Sequence, residues 1–143
     1  MIREARRWAL LATIVVPGKP PVKKNSQTIA KRGNGQRFIL PNDDYLSWKP
    51  SAVWHMVAGW RRYGRKGPVG DKSERICLSM HFFMPGDSRP DLSNLYEAVQ
   101  DALQDAGVLT NDYWVASHDG STRQTCDRPQ DARVEVDIYA CVQ

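Results

Sequence analysis

The sequence predicts an α/β fold, a single domain over residues 1–143 with two main helices packed on a mixed β-sheet. Three observations carry this. The length of 143 residues suits one domain and is enough to bury a core without disulfides or a metal. Two segments repeat apolar residues at three- and four-residue spacing, and several short runs are β-branched or alternate apolar with polar. Their order, β-β-β-α-β-α-β-β, is that of helices layered on a sheet.

The first strand is Ala9–Val16, closed by Pro17-Gly18-Lys19-Pro20-Pro21, where stacked prolines remove backbone donors. Short strands at Thr28–Ala30 and Arg37–Leu40 flank Gly33-Asn34-Gly35, a strong hairpin signal. Pro41-Asn42-Asp43-Asp44 offers short polar caps for a helix entry. Tyr45, Trp48, Ala52, Met56 and Trp60 then form one apolar face, with Pro50 expected to kink or restart the helix. Positive charge from Arg61 to Lys66 closes it favourably.

Ile76–Met84 is the clearest strand, with Ile76, Leu78, Met80 and Phe82 alternating before Pro85-Gly86-Asp87 breaks it. Leu92, Leu95, Tyr96, Val99, Ala102, Leu103 and Ala106 share a face of a second helix that Gly107 stops. Closing strands are expected near Trp114–His118 and Arg133–Tyr139, with Asp119-Gly120-Ser121 as a turn. Trp48 and Trp60 fall at core spacing, and His55 and His81 read as packed rather than metal-binding.

Charge divides the chain. Residues 1–75 hold 16 Lys/Arg against 5 Asp/Glu, a net of +11, and residues 76–143 hold 4 against 11, a net of −7. A basic half suits a polyanion and an acidic half suits a cation site or a solvated face. Cys77, Cys126 and Cys141 have no paired spacing, which outlines neither a disulfide framework nor a zinc site. The basic head and apolar stretch at the start lack a small-residue cleavage site and read as a strand, so no signal peptide is expected. No apolar run approaches the roughly 18 residues of a membrane span, so no membrane partner is expected. Together these point to a cytoplasmic protein.

The stretch that carries chemistry runs over residues 89–115, RPDLSNLYEAVQDALQDAGVLTNDYWV. Asp91 lies between a buried strand and a helix. Asn94, Glu97, Asp101 and Asp105 lie opposite that helix's apolar face. Asp112 follows the helix, where a short turn is expected to return it toward the strand end. Converging carboxylates there would suit magnesium, which takes a few carboxylates and keeps several waters. Spacing alone does not establish this, because acidic helix faces are commonly just solvated and aspartates at helix ends are commonly caps. Should Asp91 and Asp112 stand far apart and face different sides, the catalytic reading would collapse.

Asp91-Leu92-Ser93-Asn94-Leu95, then Asp101-Ala102-Leu103, Ala106-Gly107 and Asn111-Asp112, resemble the RusA family of Holliday-junction resolvases. Its run D-L-D-N-L is followed by a helical lysine, D-A-L, an A-G turn and a D-D pair. The loop Gly18-Lys19-Pro20-Pro21-Val22-Lys23-Lys24-Asn25-Ser26 also resembles that family's N-terminal loop. The resemblance implies one endonuclease domain, a homodimer, dependence on Mg2+ (with Mn2+ as a substitute), and paired symmetric cuts in four-way junctions. It implies catalytic and metal-binding roles for Asp91, Asp101 and Asp112. Two positions depart: Ser93 stands where the family has its second aspartate, and Glu97 where it has the lysine. Glu97 is a candidate substitute ligand, and Lys23 or Lys24 a candidate source of the missing positive charge.

A magnesium ion held by Asp91 and Asp112, with Asp101 as third ligand or water-orienting group, would activate water and stabilise the charged transition state of phosphodiester hydrolysis. Lys23, Lys24, Lys31, Arg32, Arg37, Arg61, Arg62, Arg65 and Lys66 are the candidates for contacts to the DNA backbone, which position without reading bases. The alternative is a non-catalytic protein of the same fold that binds junctions or single strands.

Overall fold

The computed structural model describes residues 7–22, 27–31, 33, 37–41, 43–86 and 90–142, with the backbone alone for 27–31, 37–41, 43–45 and 142. Strand β1 (Arg7–Pro17) is followed by a hairpin of β2 (Gln27–Lys31) and β3 (Arg37–Pro41), then helix α1 (Asp43–Arg62) and strand β4 (Ile76–Pro85). Helix α2 (Leu92–Asp105), short strands β5 (Val115–Ser117) and β6 (Thr122–Cys126), and β7 (Arg133–Val142) complete the described order.

The main sheet is mixed, in the order β1-β7-β4-β5, with β6 also on β4. β7 is antiparallel to both β1 and β4, whereas β5 and β6 run parallel to β4. Side chains alternate between sheet faces, so register decides the core. Ile14, Val136 and Met80 stand side by side across three strands, as do Val16, Val134 and Phe82. All six are buried. A register shift between Leu10 and Ala12 makes Leu11 an extra residue, as in a β-bulge.

Both helices contribute to the same core. α1 buries Trp48, Ala52, Met56 and Trp60 of the face its periodicity marks, the Tyr45 side chain lying outside the described residues, and α2 buries Leu95, Ala98, Val99, Ala102 and Leu103. Gly59 lets α1 lie close against β1, since a Cβ there would lie 3.0 Å from the Ile14 side chain. Gly107 stops α2 with a positive φ of 72°. The Val108 amide donates to the Leu103 carbonyl at 3.0 Å, and the Gly107 amide to Gln104 at 3.1 Å, a Schellman closure.

α1 runs through Pro50 as one helix, so of the two outcomes expected there the restart does not occur. An unexpected strand, β6, continues the β5 edge after the turn at 118–121. In the gap the Ser121 hydroxyl replaces a strand, accepting from the Met80 amide at 2.9 Å. Among the described residues no helix is long and apolar enough to cross a membrane.

Phe82 is fully buried at the centre of the sheet. Phe82→Ala should therefore lower the unfolding free energy by about 3–5 kcal/mol in urea denaturation. Truncating exposed Trp54 should stay within about 0.5 kcal/mol of the parent.

Candidate active site and nucleic-acid interface

The β4–α2–β5 crossover fixes the candidate aspartates. Because β5 is parallel to β4, α2 must carry the chain back from the C-terminal end of β4 to its N-terminal end. The pairing of Ile76 with Val115 places the start of β5 beside the start of β4. α2 has 14 residues, which at 1.5 Å each spans about 20 Å. Asp91 lies before α2 and Asp112 lies beyond it, so they occupy opposite ends of the unit. The turn after α2 does not bring Asp112 back to the strand end where Asp91 sits.

Asp91 is the N-cap residue of α2, but its side chain makes no capping hydrogen bond. Its carbonyl accepts the amides of Asn94 and Leu95 at 3.1 and 3.3 Å, and its carboxylate is exposed. The helix entry is held by its backbone, which leaves the acid free for other work. Just before it, the Pro90 carbonyl accepts from the Arg123 guanidinium of β6, which ties this end of α2 to the sheet edge.

Asp112 opens a 3-10 turn over Asp112–Trp114 and is exposed. Capping here falls to Asn111, whose side chain accepts the Tyr113 amide at 2.8 Å. Trp114 anchors the turn, with the Arg75 guanidinium 5.0 Å from its ring centre. Asp112 thus projects from a braced turn, next to Tyr113, which is 73% exposed.

Asp101 is held differently. Lys49 of α1 reaches it at 2.9 Å and Asp105 at 2.5 Å, so this acidic face is the joint between the helices. Ser93 and Glu97 are exposed. Among the described residues no three His, Cys, Asp or Glu side chains stand together as a metal would require. The described aspartates of this chain do not by themselves fit a magnesium site.

A polar cluster that the sequence did not reveal sits on the middle of α2. The break between β5 and β6 turns His118 toward α2, where its ring stacks on Tyr96 at 4.2 Å between ring centres. Its Nε2 lies 2.5 Å from the Gln100 side-chain oxygen. Half-burial holds the imidazole below the usual histidine value. No local pattern marks this cluster, because Tyr96 and Gln100 come from a separate element.

Of the nucleic-acid candidates, Lys23, Lys24 and Arg32 lie outside the described residues. Lys31 and Arg37 are backbone register partners in the β2–β3 pair, and their side chains lie outside the described residues. Arg61 and Arg62 are exposed at the end of α1, Lys66 is exposed and Arg65 half-buried just beyond it, and Arg61, Arg65 and Lys66 line an open depression of about 440 Å3.

No protein-family model matches the chain. It is 28% identical over 94 residues to the Crossover junction endodeoxyribonuclease RusA of Aquifex aeolicus (strain VF5), covering 66% of this chain and 67% of that protein. The chain is similar to RusA. That likeness is much longer than the Asp91–Asp112 run in which the resemblance was first visible.

His118 gives a pH expectation. Its folded pKa lies below the unfolded value, so the unfolded state binds more protons between the two. Stability should be full above about pH 6.5 and fall as the pH drops below it. The urea midpoint should show this slope in the parent and lose that component in His118→Gln.

Proposed function

We propose that this chain is a metal-dependent endonuclease acting on branched DNA, which resolves four-way junctions by paired cuts as a homodimer in the cytoplasm. The likeness to RusA carries the proposal, since that protein's name states its action on crossover junctions. Two features of the site support it. The Asp91 carboxylate is spared from capping, and Asp112 is exposed on a braced turn. Magnesium, with manganese as a substitute, is the proposed cofactor.

The placement of the aspartates gives the dimer a definite part. If Asp91 and Asp112 serve one ion, they must come from different copies, because one copy separates them by the length of α2. A two-fold axis would create two such shared sites, matching a junction that needs two cuts. Asp101 is already paired with Lys49 through one carboxylate oxygen, so it is given a secondary role. The basic residues would hold the DNA backbone and give binding a steep loss with added salt.

The second reading, a non-catalytic junction or single-strand binder, is favoured by the lack of a three-carboxylate group among the described residues. Cleavage of a labelled four-way junction in magnesium separates the two. Asp91→Asn and Asp112→Asn should each abolish cutting with binding retained, whereas Asp101→Asn should keep measurable cutting. Mixing the two inactive variants should restore nicking, because mixed dimers regain one complete pair. Tight binding without cutting by the parent in magnesium or manganese would leave the binder as the better reading.

A further inference from the structure

Trp54 is the most conspicuous side chain that neither the core nor the candidate active site uses. It is 68% exposed, whereas Trp48 and Trp60 on the same helix are 8% and 3% exposed. At 100° per residue Trp54, Ala58 and Arg61 form a stripe on the face of α1 turned away from the core. Ala58 is small, which leaves a shelf beside the indole. His55 packs edge-on against that ring with centres 5.0 Å apart. A depression of about 240 Å3 runs alongside, lined by Trp54, His55, Ala58, Arg62 and Tyr63 against Val15 of β1. Tyr63 is itself 50% exposed.

The surroundings are positive. No Asp or Glu occurs from Tyr45 to Gly70, while Arg61, Arg62, Arg65 and Lys66 crowd the end of the helix. Two arginines in a last turn are explained by the helix dipole alone. Arg65 and Lys66 lie beyond the helix and are not. The Arg65 Nε is buried with no hydrogen-bond partner among the described residues, its guanidinium lies 5.8 Å from the centre of the Trp60 ring, and the residue lines the depression shared with Arg61 and Lys66. From Trp54 to Arg61 the helix rises about 10 Å. An aromatic face and a cationic pocket are therefore set side by side.

We propose that this face of α1 holds an unpaired nucleotide of DNA, with its base stacked on Trp54 and the neighbouring phosphate in the pocket of Arg61, Arg65 and Lys66. An indole offers a large π-face that any base can stack on, and arginines beside it bind the backbone without regard to sequence. Paired bases inside a duplex offer no free face, so the site selects unpaired or splayed nucleotides, as at forks and the centres of junctions. A second copy of the chain is a poor occupant. A two-fold contact through this face would bring together two basic surfaces with no acid between Tyr45 and Gly70 to offset them, and like charges across an interface disfavour association. The proposal rests on the DNA-processing reading above and adds the element that recognises a break in pairing.

The test measures binding without added divalent metal, using fluorescent oligothymidylate about 20 nucleotides long and a blunt duplex of equal length. Trp54→Ala and Trp54→Leu should each weaken oligothymidylate binding about tenfold and leave duplex binding within about twofold, while Trp54→Phe stays near the parent. Arg65→Ala should weaken both ligands. Equal affinity of Trp54→Leu and the parent for oligothymidylate overturns the proposal, as does equal loss on both ligands or no binding by the parent. A change in sedimentation with unchanged DNA affinity also overturns it and makes a second copy the occupant. Junction cutting is assayed in parallel. Stacking without cutting would sink the endonuclease reading alone, and cutting indifferent to Trp54 would sink this one alone.

Discussion

A parallel strand pair joined by a helix cannot bring the two ends of that helix together, and this constraint governs the candidate site. β4 and β5 run the same way, so α2 must span the sheet between them. Its buried Leu95, Val99, Ala102 and Leu103 fix it to the sheet, and the Gly107 closure fixes where it ends. Asp91 and Asp112 are thereby held apart, and that separation is what turns dimerisation from a convenience into a requirement for the proposed nuclease.

The same helix shows how one acidic face can be divided by its neighbours. Asp101 and Asp105 meet Lys49 and join the two helices, while Glu97, one turn earlier, stays exposed. Partly exposed ion pairs of this kind contribute little stability, so their value lies in setting how α1 lies across α2. That setting in turn aims the outer face of α1, with Trp54 and its arginines, away from the core.

Much of the fold was legible because burial imposes a period on the chain. β4 and the two apolar helical faces were readable for that reason, and Gly107 marked a helix end through its backbone freedom. β6 was missed because Thr122-Arg123-Gln124-Thr125-Cys126 is an edge strand with few buried side chains, and without a buried face there is no alternation to read. The direction of β5 was not legible either. Turn chemistry tells that α2 stops, but only long-range pairing with Ile76 and Cys77 decides that the chain re-enters the sheet parallel to β4. Asp91 and Asp112 could therefore be named from their motif while their separation could not. The tryptophans were half legible, since core spacing identified Trp48 and Trp60 and left Trp54 unassigned.

The most direct measurement is anomalous scattering from crystals of the protein soaked in manganese. The expected result is an ion bound between the Asp91 carboxylate of one protomer and Asp112 of its partner, repeated by the two-fold axis. An ion held wholly within one protomer, or no ion near either aspartate, would contradict a site shared between copies.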